Sequence, residues 1–108
     1  MLRIALFCLL ALVPLAAVAA EPAEYTLTIS NHRFAPAELA IPANTKVKLS
    51  VVNKDATAEE FESHELNREK LVAGNASITV YVGPLKAGRY AYFGDFHQDT
   101  AQGVLIVR

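Results

Sequence analysis

YTLTIS at 25–30, KVKLSVVN at 46–53 and SITVYV at 77–82 alternate apolar and polar residues. A period of two sends successive side chains to opposite faces of an extended chain, so each run reads as a half-buried strand. Leu27 and Ile29 face away from Thr26 and Thr28, Val47, Leu49 and Val51 share one side, and Ile78, Val80 and Val82 are in phase. NHRFAPAE is a turn-rich connection in which His32, between Asn31 and Arg33, reads as a turn residue. Pro36 and Pro42 bracket ELAI, which reads as an edge strand at most. NKDATAEE is polar and loop-like, FES starts another strand, and HELNREKLV reads as one helical turn or an extended edge. AGN and GPLKAG are turns, and RYAYFG and GVLIV are the last two strands. About seven short strands with closely spaced turns predict an all-β antiparallel Greek-key sandwich. No segment after the first twenty residues carries a long helical stripe.

The N-terminus has a different character. MLR gives a short positive start, and IALFCLLALVPLAAVA is an apolar run ending in small residues. Val18 and Ala20 stand at −3 and −1 before Glu21, with Ala17 and Ala19 serving one residue earlier. Residues 1–20 therefore read as a secretory signal peptide, and residues 21–108 as one domain exported to an extracytoplasmic space. Cys8 follows Phe7 rather than the small residues that precede a lipidated cysteine. Loss of Arg3 leaves nine basic residues against eleven acidic ones, a net charge of −2. That balance gives no electrostatic footprint for nucleic acid. The single cysteine and single methionine are both in the leader. The mature chain then has no disulfide and no thiolate or thioether for soft metals.

Two segments hold the groups that carry chemistry. AEEFESHE at 58–65 brings Glu59, Glu60, Glu62, His64 and Glu65 together around Phe61, and GDFHQD at 94–99 holds Asp95, His97 and Asp99. In an extended segment Glu60, Glu62 and His64 share one side, and Glu59 falls on the side of Phe61 unless a bulge re-aims it. Clustered carboxylates repel one another when ionised, and either a bound cation or solvation on an exposed face relieves that repulsion. A solvated acidic edge that blunts strand pairing is thus the plain alternative to a metal site. No serine, cysteine or lysine lies in a nucleophile context and no substrate cleft is evident, so the chain does not read as an enzyme.

The order of these motifs resembles the cupredoxins, the small copper-protein β-sandwiches. The resemblance runs over residues 25–108 and is densest in RYAYFGDFHQDTAQGVLIV. It implies that His97 stands at the family's C-terminal histidine ligand, Gly94 at its cysteine, Ala101 and Gln102 in its methionine region, and Glu59 at its first histidine. Without the thiolate a blue copper site is excluded, and the remaining imidazole and carboxylate donors suit Cu(II), Fe or Zn better than Cu(I). Within the family the chain is most similar to the cupredoxin-like domains of bacterial periplasmic iron-uptake systems, which accompany a high-affinity iron permease. The shared residues are the E-F-E stretch Glu60, Phe61 and Glu62 and the pair Glu69 and Lys70. Glu62 is a proposed metal ligand there, while Phe34 and Gly94 occupy the places of that subgroup's cysteines.

The resulting expectation is a periplasmic metal-binding cupredoxin-like protein taking Cu(II) or iron. Glu59, Glu62 and His97 are its main ligands, with Asp95, Glu60 and His64 as further candidates. It would assist metal capture, delivery or import alongside a membrane permease. The alternative expectation is a metal-free sandwich whose acidic loop docks onto a permease or another periplasmic partner.

Overall fold

The computed structural model describes residues 4–14 and 21–108. Among the described residues nine strands form two packed sheets. They are β1 (Ala23–Ser30), β2 (Arg33–Ala35), β3 (Glu38–Ile41), β4 (Val47–Asn53), β5 (Glu59–Ser63), β6 (Arg68–Val72), β7 (Ser77–Val82), β8 (Gly88–Gly94) and β9 (Gln102–Val107). A 3₁₀ turn, Asp95–His97, leaves β8. One sheet has the order β2-β1-β4-β7 and the other β3-β9-β8-β5-β6.

The inward faces are those set by the alternation. Leu27, Ile29, Val47, Leu49 and Val51 from the first sheet and Phe61, Val72, Tyr92 and Leu105 from the second are buried in one core. Two expectations are corrected. NHRFAPAE is not only a connection, because Arg33–Ala35 folds back on β1 as β2. The sandwich is also not purely antiparallel: β1 runs parallel to β4, and β3 parallel to β9. After β1 and β2 the chain crosses to the opposite sheet as β3 before returning as β4, and such a crossover brings two strands side by side in the same direction. ELAI is an edge strand, as its flanking prolines indicate, and REKLV is the extended edge at the other end of the same sheet.

On that far flank Arg68 Nε donates to the Tyr81 carbonyl at 3.0 Å and Lys70 Nζ to the Thr79 carbonyl at 2.9 Å. Two cations on edge strand β6 thereby serve carbonyls of edge strand β7 in the facing sheet. Positive charge on a strand edge is one of the standard guards against edge-to-edge association.

At the centre of the core Tyr92 lies 5.3 Å from Phe61 and 5.0 Å edge-on from Phe34 (ring centroids). Its ring covers Gly103, its cross-strand partner, where an added Cβ would come within 2.4 Å of ring carbons. The Tyr92 hydroxyl is buried with no hydrogen-bond partner among the described residues, and its burial pushes the phenol pKa above the usual range. A buried hydroxyl without a partner costs about 1–3 kcal/mol of desolvation. Tyr92→Phe is therefore expected to match or exceed the wild type in stability, by up to about 1 kcal/mol. The shift is read as a change in denaturant midpoint at constant slope. A clear loss of stability would reveal a partner for the hydroxyl.

Residues 4–14 form neither helix nor strand, and Ile4, Leu6, Phe7, Leu9, Leu10, Leu12 and Val13 are exposed there. Among the described residues no helix is long and apolar enough to cross a membrane. The cleavage site read at Val18 and Ala20, with Ala17 and Ala19 as its neighbour, lies outside the described residues.

Candidate metal centre

Strand β5 buries Glu59, Phe61 and Ser63 and turns Glu60 and Glu62 outward. No bulge is needed: Glu59 sits on the core side with Phe61, and only 1% of its surface is exposed. A carboxylate in such a place is tolerated only when its oxygens are bonded. Oε1 accepts from the backbone N–H groups of Glu60 and Phe96, both at 2.9 Å. Oε2 lies 2.6 Å from Nδ1 of His97.

His97 closes the 3₁₀ turn that follows β8. Its carbonyl accepts from the N–H groups of Ala101 at 2.8 Å and Thr100 at 3.2 Å, which fixes the turn under the ring. The ring itself is half-buried, with 28% of the side chain exposed. Its Nδ1 is committed to Glu59, which fixes the ring's orientation.

The third member comes from the β1–β2 hairpin. The loop is Asn31 and His32, both with positive φ (52° and 56°), the signature of a two-residue type I′ turn. Asp55 holds this turn by accepting both N–H groups, from Asn31 at 2.8 Å and His32 at 2.9 Å. The His32 ring is thereby laid on His97, with centroids 3.5 Å apart and planes 10° from parallel. Its Nδ1 lies 3.4 Å from Asp55 Oδ2. His32, Glu59 and His97 each offer one donor atom within 4.8 Å of the others.

The His32 N–H is the main reason the Asp55 pKa is lowered, with the Asn31 N–H and the nearby imidazoles of His32 and His97 adding to it against the opposing effect of burial. A carboxylate whose folded pKa is depressed contributes stability that is present above its unfolded pKa of about 3.9. That contribution is lost as pH falls through the lower folded value. The stability advantage of wild type over Asp55→Asn is therefore expected at neutral pH and to vanish in acid, as read by denaturation at a series of pH values.

Glu60, Glu62 and Asp95 form a second group on the outer face, also with donor atoms within 4.8 Å. Glu60 is pushed up to about 7, first by lost hydration, then by its hydrogen bond with Glu69 and by repulsion from Glu69, Asp95 and Glu62. Glu62 and Glu69 stand directly opposite one another across β5 and β6.

The expected ligand set is thus divided. Glu59 and His97 meet. Glu62, Glu60 and Asp95 are not with them, because strand alternation carries Glu60 and Glu62 to the outside and Asp95 starts the 3₁₀ turn on that outer side. His64 belongs to neither group. It is exposed beyond the end of β5, where its ring packs at 5.4 Å from Phe93. His32, read only as a turn residue, is both a turn residue and a neighbour of His97. Asn31 beside His32 in a turn-rich stretch was the available signal for the turn, since asparagine tolerates positive φ, and nothing local pointed to the contact with His97.

The four positions that the resemblance singles out converge. An ideal Cβ on Gly94 would lie 2.6 Å from the Glu59 carboxyl carbon and 2.8 Å from both Glu59 Oε2 and Ala101 Cβ. Glu59, Gly94, His97 and Ala101 therefore surround one small volume, and the carboxylate fills the part of it that a side chain at 94 would enter. The cupredoxin-like domain family matches residues 2–107. This chain belongs to that family.

An uncharacterized protein of Rickettsia prowazekii (strain Madrid E) is 52% identical over 84 residues, spanning 78% of this chain and 67% of its own length. Among solved structures, auracyanin A, a "blue" copper protein of Chloroflexus aurantiacus, superposes with a TM-score of 0.68 at 17% identity, covering 82% of this chain and 100% of its own. Amicyanin of Paracoccus versutus gives 0.62 at 18% identity over 85% of this chain and 86% of its own. The metal-binding domain of the Cu(I)-exporting ATPase CopA of Streptococcus pneumoniae D39 gives 0.67 at 10% identity over 79% and 84%. At these identities the likeness establishes the shared sandwich and leaves the chemistry to the residues.

Those residues do not fit a blue copper centre. No sulfur donor reaches the site among the described residues, and Gly94 and Ala101 offer no side-chain donor. The donor set is a buried carboxylate with two imidazoles, which fits Cu(II), Zn(II) or iron.

Proposed function

We propose that this protein is a periplasmic metal-binding cupredoxin-like domain that takes up Cu(II) or iron as cargo through Glu59, His97 and His32 and passes it toward import. In this reading residues 1–20 are a signal peptide that is removed, and residues 21–108 are the working domain. A membrane iron permease or another periplasmic transport component receives the ion. The carrying observation is the buried Glu59 carboxylate held 2.6 Å from His97 Nδ1 with the His32 ring laid against it. Ion pairs and buried acids are costly in a small core, so a carboxylate at this inward position supports a functional role.

The chain's own groups divide the work. The N–H groups of Glu60 and Phe96 aim the Glu59 carboxylate, and the β8–β9 turn aims His97. Carboxylate and imidazole ligate through unprotonated donor atoms, so an ion competes with protons for this site and binding weakens in acid. His32, with 41% of its side chain exposed, is the most solvent-accessible of the three and the natural place for an ion to arrive or depart.

Calorimetric titration of residues 21–108 with Cu(II), Fe(III) and Zn(II) tests the proposal. Saturable one-to-one binding that weakens in acid is the expected result, and no binding of any of the three would overturn it. The Cu(II)-loaded protein is expected to lack the intense blue colour produced by thiolate ligation.

A second reading rests on the outward cluster of Glu60, Glu62, Glu69 and Asp95. That acidic face suits docking to a basic patch on a permease or periplasmic partner, with metal playing no part. Complementary surface charge acts mostly on association rate and is screened by salt. Capture of the partner that survives chelator and fails in high salt would favour this reading.

A further inference from the structure

Gly94 has an extended backbone, with φ −92° and ψ 113°, that any L-residue adopts. Its conformation therefore gives no reason for glycine. The reason is space. A Cβ there would stand 2.6 Å from the Glu59 carboxyl carbon, 2.8 Å from Oε2 and 2.8 Å from Ala101 Cβ, closer than real Cβ contacts come.

Neither side can give way cheaply. Gly94 is pinned by its N–H to the Ala101 carbonyl at 2.8 Å and by its register opposite Phe61. Glu59 is fully buried, and moving its carboxylate aside breaks the bonds from the Glu60 and Phe96 N–H groups as well as the contact with His97. Ala101 is also fully buried.

We infer that Gly94 is a specificity-determining residue: its missing side chain is what admits the Glu59 carboxylate, so positions 59 and 94 together select an oxygen-and-imidazole donor set. The inference rests on the metal-binding reading for its consequence and on the packing at 94 for its cause. A side chain at 94 and an inward carboxylate at 59 are alternatives within one volume. Adding a thiol at 94 alone therefore does not convert this chain into a sulfur-ligated site. It first expels the oxygen donor.

The test uses residues 21–108 and aqueous Cu(II), with Gly94→Ala, Glu59→Ala and the double variant. Gly94→Ala is expected to lose Cu(II) affinity by about 100-fold, the upper end of what misplacing a ligand's support costs. Adding Gly94→Ala to Glu59→Ala is expected to change affinity little, because truncation of Glu59 removes two of the three close contacts and opens space into which the methyl can shift away from Ala101 Cβ. In metal-free protein, the Phe96 and Glu60 amide resonances, whose N–H groups bond Glu59 Oε1, are expected to shift in Gly94→Ala. Unaltered affinity and unaltered amide resonances in Gly94→Ala would overturn the inference.

If Gly94→Ala alone does not fold, the double variant is expected to recover a cooperative transition, and failure to recover it would overturn the inference equally. The two readings fail separately. Wild type that does not bind Cu(II) removes the proposed function, while the amide shifts still report whether residue 94 controls Glu59.

Discussion

Glu59→Gln is expected to lower Cu(II) affinity at neutral pH by about 100-fold or more, since even outer-shell groups around a metal cost 10–100-fold when lost. The substitution keeps the volume and one carbonyl acceptor for the Glu60 and Phe96 N–H groups, so the fold should survive. What it removes is the charge and the second oxygen, the one facing His97 Nδ1. Thermal melts in parallel separate loss of ligation from loss of structure. Glu62→Gln is the internal comparison. Its side chain points outward with Glu60 and Asp95, and its affinity should stay close to that of wild type. Equal losses at 59 and 62 would shift the site to the outer acidic face. No loss at 59 would remove Glu59 from the ligand set.

Phe61→Ala is expected to cost about 3–5 kcal/mol, the usual range for removing a buried phenylalanine. Phe61 is fully buried, stacks on Tyr92 and meets Phe34 edge-on at 6.2 Å, so one truncation opens the junction between the two sheets. In a domain of this size each kcal/mol is worth roughly 4–8 °C of Tm, which puts the expected fall at roughly 12 °C or more. Phe61→Leu, which keeps most of the volume, should lose much less. Calorimetry or circular dichroism on the three proteins gives the answer. The same ring flanks Glu59 along β5, so the alanine variant is also expected to bind Cu(II) poorly at temperatures where wild type is intact. A Tm within a few degrees of wild type would show that the core has collapsed around the gap.

The alternation in β1, β4 and β7 was enough to name their buried faces, because a half-buried strand has little freedom in which side it offers to the core. The same rule put Glu59 beside Phe61. Strand direction was not legible: apolar periodicity is unchanged when a strand is reversed, and the parallel pairs β1–β4 and β3–β9 follow from the crossover and not from any local pattern. β2 was missed because three residues between a turn and Pro36 carry no measurable period. At the site, the resemblance of Glu62 to a ligand elsewhere competed with strand phase, and phase decided. His32 was half legible. Its turn is local, but the stack on His97 joins residues far apart in the chain, through a hairpin whose direction is set by Asp55.

Arg68 and Lys70 lace the flank between β6 and β7 by giving their cationic ends to carbonyls of the opposite layer. A strand from another molecule seeking to lengthen the first sheet at β7 would meet the Thr79 and Tyr81 carbonyls already engaged by these cations. Growth of that sheet by strand addition is thus opposed along β7. At the loop end, by contrast, Phe96 lies half exposed next to His97 in the chain.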